Sequence, residues 1–159
     1  MTTQWHQHSM RVQYKDTDQM GVVHHGNYIT WFEVGRTEWM RYFDISYHDM
    51  EAIGLLLPVV DVQASYKQSA HFDEPVVIFS KLANFSPIRM EFDYEARKIT
   101  EVEFTSMQNN KVSMVNEPYG KLLTKGSTTH MWVNKNWKPA KLTKTHPTLY
   151  QKIEQMMYS

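Results

Sequence analysis

The chain contains no cysteine, which removes disulfides, Cys-based zinc sites and a thiol nucleophile from consideration. It has six glycines and six prolines, and the glycines never bunch into a phosphate-cradling loop ahead of a helix. No stretch approaches the roughly 18 consecutive apolar residues that cross a bilayer. The opening MTTQWHQHSM has no basic region followed by an apolar run, so no secretory leader is expected. Nor is there an excess of one charge. Lys plus Arg and Asp plus Glu are both 17, and the pI is near 7.1, which argues against a nucleic-acid partner. Repeats, low-complexity linkers and composition breaks are also absent, and 159 residues suit one domain spanning 1–159. A cytoplasmic globular protein without a membrane span is the expectation.

What the chain does have is methionine and rings: 11 Met and 13% aromatic residues. Such a mixture fits an adaptable acyl pocket, and equally a loosely specified core. Residues 9–16 alternate as a strand, with Met10, Val12 and Tyr14 on one side. A turn-rich DTDQMG follows. From Asn27 to Phe43 the pattern is helical, and apolar side chains cover too much of the girth for a surface helix, so it is read as buried. Gly35 in its middle marks a close backbone approach. Glu33 with Arg36, and Glu38 with Arg41, have the i,i+3 spacing of ion pairs.

Beyond Pro58 the texture becomes strand-like. Val60, Val62, Ala64 and Tyr66 share one face of a strand, and 76–83 forms another. After a Ser86-Pro87 turn, Met90, Phe92, Tyr94 and Ala96 point inward while Glu91, Asp93, Glu95 and Arg97 point outward. Segments 101–107, 111–116 and 122–134 are further strand candidates. Thr145 is placed to cap a final helix with Pro147 in its first turn, its stripe made by Leu149, Ile153, Met156 and Met157. One buried helix with antiparallel-looking strands around it makes an α+β fold, with a sheet edge that dimerisation would cover.

The most informative segment is YKDTDQMGVVHHGNYITWFEVGRTEW, residues 14–39. Its elements Tyr14-x-Asp16-Thr17-Asp18-x-x-Gly21-Val22-Val23-x-His25-x-Asn27-Tyr28, then Trp31-Phe32-Glu33 and Arg36, resemble the signature of the 4-hydroxybenzoyl-CoA thioesterase-like family, bacterial acyl-CoA branch. SYKQSAHFDEPV at 65–76 is a softer echo. The resemblance implies a hotdog fold, an antiparallel sheet of five to seven strands wrapped around the long helix at about 27–43, and chains assembled as dimers or as tetramers made of dimers. It implies hydrolysis of acyl-CoA thioesters with short, medium or aromatic acyl groups. No cofactor is expected beyond the coenzyme A carried by the substrate. Asp18, His25 and Tyr14 become the expected catalytic residues, and Gly26, Asn27 and Arg89 the expected substrate contacts.

The chemistry is coherent with that reading. A helix amino terminus presents free N–H donors and partial positive charge to a developing oxyanion. A carboxylate beside it can attack the thioester or activate water, and the sequence leaves both open. Plainer roles exist for the same residues: Asp16 and Asp18 as turn formers, His25 as a surface histidine, Tyr14 as a core aromatic, Asn27 as a helix lock. An acyl-carrier-protein thioesterase and a non-catalytic acyl-CoA-binding protein are the rival readings. No metal site is expected, since neither HExxH nor a 2-His-carboxylate spacing occurs. Lys67, Arg89, Arg97 and Lys98 are candidates for the nucleotide phosphates. Two features depart from the family pattern: His24 and Gly26 stand where an aromatic and a small residue such as Ala are usual. Residues 98–119 replace a tight turn with a longer hairpin, an extra strand pair or an arm.

Overall fold

A computed structural model describes residues 4–158; the first three residues of the opening stretch and Ser159 lie outside it. Helix α1, His25–Tyr42, lies against a six-stranded antiparallel sheet, the hotdog arrangement expected. The strands are β1 (Trp5–Arg11), β3 (Val59–Tyr66), β4 (Pro75–Phe85), β5 (Arg89–Lys98), β6 (Met114–Val115) and β7 (Lys121–Met131), ordered β3-β7-β5-β4-β1-β6. A separate pair joins β2 (Leu55–Leu56) to β8 (Val133–Asn134), and α2 (Tyr47–Ala52) follows α1.

The alternation of β5 makes the core. Met90, Phe92, Tyr94 and Ala96 are all fully buried and face α1. Phe32 stacks on Tyr94 with ring centroids 4.8 Å apart, and Trp39 meets Phe92 edge-on at 5.1 Å. Gly35 is the contact point: a Cβ there would come within 2.6 Å of both Ile78 Cγ2 and Ser80 Oγ of β4. Glu95, expected to point outward, does so but is covered, paired with Arg97 at 2.6 Å.

Several expectations are corrected. The first strand runs from Trp5 to Arg11 instead of 9–16, because its ladder with β4 ends where Arg11 meets Pro75. Tyr14–Asp16 is a 3₁₀ turn held by the Gln13 amide donating to Asp16 Oδ2 at 3.0 Å. Segment 101–107 is a helix, α3 (Glu101–Asn109), not a strand: Thr100 and Glu103 form a reciprocal capping box that starts it. The arm at 98–119 packs on the outer face of the sheet, where Phe104, Met107 and Tyr119 cover Val77 and Phe79. Segment 111–116 contributes only the two residues of β6. Strand β3 is an edge, and Val59, Val60, Val62 and Tyr66 are exposed. At the carboxyl end, α4 (Leu142–Thr145) precedes α5 (Pro147–Tyr158). The Thr145 hydroxyl donates back to Lys141 O at 3.3 Å, closing α4 instead of capping α5.

Arg36 also differs from expectation. Buried on the inner side of α1, it donates to the Tyr47 hydroxyl at 2.7 Å and the Tyr94 hydroxyl at 3.4 Å instead of reaching Glu33. The chain of bonds continues from Tyr94 to Thr128 Oγ1 at 2.7 Å and from Thr128 to His130 Nε2 at 2.8 Å. Glu38 and Arg41 pair as expected.

Burial, with the Arg36 charge nearby, lowers His130 to about 4, and burial beside His8 lowers His6 to about 4. Both are therefore neutral in the folded chain while the unfolded chain binds protons below the ordinary value of about 6.5. Stability is fully present above pH 6.5 and lost as pH falls from 6.5 towards 4, at up to about 1.4 kcal/mol per pH unit for each histidine. Urea midpoints measured across that window should fall steeply, and His6→Gln should flatten the slope. A midpoint that stays level from pH 7 to 4.5 would contradict this account.

Candidate active site

The segment between β1 and α1 is a compact loop pinned by its own backbone. The Asp18 amide donates to Val22 O at 2.9 Å, and Gly21, with φ of +80°, returns its amide to Asp18 O at 3.0 Å. A positive φ suits glycine because it lacks Cβ. The Met20 amide donates to Asp18 Oδ1 at 2.8 Å. One carboxylate oxygen thus forms the turn, and Oδ2 is left for other partners. Isolated bridges Thr17–Val23 and Val22–His71 anchor the loop at both sides.

The loop delivers the chain to the start of α1. His24 is the cap residue, and its Nδ1 accepts the Gly26 amide at 3.1 Å. The Asn27 amide goes to His24 O at 2.9 Å. With these two donors taken, the His25 amide is the donor of the first turn that the cap leaves over. The His24 and His25 rings lie 4.2 Å apart at 30°.

Asp18 and His25 line one cavity of about 300 Å³. Its other wall comes from the end of β3 and the loop after it, through Tyr66, Lys67, Gln68 and Ser69, and Tyr28 lines it from α1. This wall is tied to the helix at two points. The Tyr66 hydroxyl donates to His25 O at 3.1 Å, and the Ala70 amide donates to the Tyr28 hydroxyl at 3.2 Å. Tyr66 stands edge-on to both the His25 and Tyr28 rings. Burial raises the Tyr28 hydroxyl above its ordinary value, so it stays a neutral anchor. Val22, Val23 and Met20 supply the apolar lining.

The remaining expected residues fall elsewhere. Tyr14 is 78% exposed, edge-on to Phe72 at 5.8 Å, and does not line the cavity. The Asn27 side chain is occupied, its Nδ2 donating to Asp16 O at 2.7 Å, so it locks the loop onto the helix. Gly26 lies beneath the His24 ring, with 3.3 Å available between an added Cβ and that ring. Arg89 begins β5, whereas the cavity lies beside the Thr124–Ala96 pairing near the other end. Seven residues of strand separate Arg89 from Ala96, about 23 Å. Among the other basic candidates, Arg97 is paired with Glu95 and Lys98 with Glu74. Lys67 is the one at the cavity.

Sequence reasoning had no role for Tyr66, Gln68 or Ser69. Their one signal is position, directly after a strand in a segment that resembles the family's. Among the described residues, no group of three His, Cys, Asp or Glu side chains is arranged to hold a metal ion, and no helix is long and apolar enough to cross a membrane.

Comparison with known proteins fits this geometry. Residues 12–142 match the model of the thioesterase-like superfamily. The Bacillus subtilis protein YneP, itself only provisionally assigned as an acyl-CoA thioesterase, is 32% identical over 91% of this chain and 94% of its own. The acyl-CoA thioester hydrolase YbgC of Escherichia coli is 27% identical over 67% of this chain and 77% of its own. Among solved structures, the DHNA-CoA thioesterase from Staphylococcus aureus superposes with a TM-score of 0.79 at 29% identity, covering 97% of this chain and 91% of that one. With the family model matched over residues 12–142, most of its length, the chain belongs to the thioesterase-like superfamily.

Proposed function

We propose that the protein hydrolyses acyl-CoA thioesters to the free acid and coenzyme A. The observation that carries this reading is the sharing of one cavity by the Asp18 carboxylate and the amino terminus of α1. The thioester carbonyl oxygen sits at the His25 amide, where the helix dipole and a free N–H stabilise negative charge as the carbonyl is attacked. The uncommitted oxygen of Asp18 supplies the second component, either attacking the carbonyl carbon to give a mixed anhydride or taking a proton from water. The His25 imidazole orients that water or moves its proton. Coenzyme A leaves as a thiolate and needs no strong acid to assist it. The reaction calls for no metal and no cofactor besides the coenzyme A of the substrate.

Aromatic edges from Tyr66, Tyr28 and His25 around the cavity support an aromatic acyl group, as does the likeness to the Staphylococcus aureus enzyme. Lys67 at the cavity rim meets a phosphate of the nucleotide. The exposed apolar edge of β3, with Val59, Val60 and Val62, pairs with the same strand of a second copy, so that chains form a dimer or a dimer of dimers. CoA thioesters are intracellular metabolites, which supports the cytoplasm as the place of action.

Free-thiol release from a panel of aliphatic and aromatic acyl-CoAs tests the activity, with the same acyl group on an acyl carrier protein as the rival substrate. Turnover of the CoA thioester is expected, and Asp18→Asn should lower kcat by roughly 10²–10⁴. Undiminished activity in Asp18→Asn would remove Asp18 from the mechanism, and tight acyl-CoA binding without turnover would favour a non-catalytic carrier.

Size-exclusion chromatography with light scattering tests the assembly. A dimer or tetramer is expected, shifted towards monomer by Val62→Lys; a stable and active wild-type monomer would refute it.

A further inference from the structure

His24 caps α1, and nothing in the proposed chemistry has yet used it. It is fastened on three sides. Its own amide donates to Asp16 O at 2.9 Å, its carbonyl accepts the Asn27 amide at 2.9 Å, and its Nδ1 accepts the Gly26 amide at 3.1 Å. An acceptor at Nδ1 puts the ring proton on Nε2 and makes the imidazole a cap of the type usually made by Ser, Asp or Asn. The ring also lies 4.2 Å from the His25 ring, tilted by 30°. Gly26 belongs to the same device, because a Cβ there would press on His24 Cε1 and Nδ1 at 3.3 Å. Of these three residues, only His25 lines the cavity with Asp18.

We infer that His24 is a positioning residue for thioester hydrolysis: its imidazole nitrogen caps α1 and thereby fixes the His25 amide and ring at the reacting carbonyl. The inference rests on the Asp18 and His25 reading above. A phenyl ring at this position retains the stacking surface but offers no acceptor, so the Gly26 amide loses its partner and competes with the His25 amide for the carbonyl oxygen or for water. The first turn then keeps its backbone bonds but loses the side-chain restraint that trims its geometry, and the aim of the oxyanion donor shifts slightly with it. Remote binding of the nucleotide is unaffected. The signature is therefore a fall in kcat with KM held.

The test uses the full chain and the acyl-CoA that wild type turns over best. It compares His24→Phe, which retains the ring, with His24→Asn, which retains the acceptor, and His24→Ala, which retains neither. Thermal unfolding confirms that each is folded at the assay temperature. His24→Phe and His24→Ala should lose roughly fivefold to tenfold in kcat, the effect of one lost cap, with KM within about twofold of wild type. His24→Asn should recover kcat to within about threefold. Full kcat in His24→Phe, or no recovery in His24→Asn, overturns the role of His24. Asp18→Asn, run alongside, separates this from the wider reading: if it abolishes turnover while His24→Phe does not lower it, only the inference about His24 fails. If Asp18→Asn is fully active, the site reading fails and the role of His24 goes with it.

Discussion

The apolar flank of α1 pressed onto the inner face of β4 and β5 fixes where the helix begins. Phe32 on Tyr94 and Trp39 on Phe92 set its rotation. Gly35 brings the helix backbone so close to Ile78 and Ser80 that even a methyl group would clash. A helix held this closely along its length cannot slide or turn by much, since interiors packed to crystal-like density transmit displacement instead of absorbing it. Its amino terminus is therefore a fixed point, and the loop carrying Asp18 is built onto it by the His24 amide and the Asn27 side chain, both bonded to Asp16 O. An electrostatic site depends on such rigidity, because donors aimed in advance at a developing charge need not reorganise during the reaction.

The same packing brings a cost, met inside the core. Arg36 is buried among Tyr47 and Tyr94, and among the described residues no carboxylate pairs with it. Burial opposes its charge, but the two tyrosines hold it, so its pKa ends above its ordinary value. The bonds running on through Thr128 to His130 satisfy polar atoms that would each cost about 1–3 kcal/mol if left unpaired. This network joins α1 to β5, β7 and α2, adding directional bonds to the packing that holds the inner side of the helix.

Much of this was legible because periodicity follows burial. The buried helix, the clean alternation of β5 and the close approach at Gly35 each leave a direct trace in residue order. The segment around 101–107 was misread because VEFTSM alternates nearly as well as it spirals. What decides for a helix is Thr100 with Glu103, two polar residues at the capping-box spacing, together with Phe104 and Met107 meeting the outer sheet face at i,i+3. Strand β3 carries apolar residues on a surface that is exposed in the single chain, and pattern alone does not say whether the covering partner is the same molecule or another. Within the site, Asp18 and His25 stand out through the resemblance of residues 14–39 to the family signature. Tyr66 and Lys67 lie about 40 residues away, and only the pairing of β3 with β7 and the turn beyond it bring them to the helix.

Asp18 had two competing interpretations in the sequence, turn former and catalytic acid, and the geometry makes them compatible. Accepting the Met20 amide on Oδ1 costs the side chain its rotational freedom but leaves Oδ2 without a backbone partner in the turn. A carboxylate held by one oxygen presents the other along a defined direction, the arrangement that proximity effects require. Gly21 permits the positive φ that closes this turn, so the motif's glycine acts on the carboxylate through the backbone without touching the substrate. The DTDxxG pattern is then a single mechanical unit in which local turn chemistry sets the aim of the carboxylate proposed here as the reacting group.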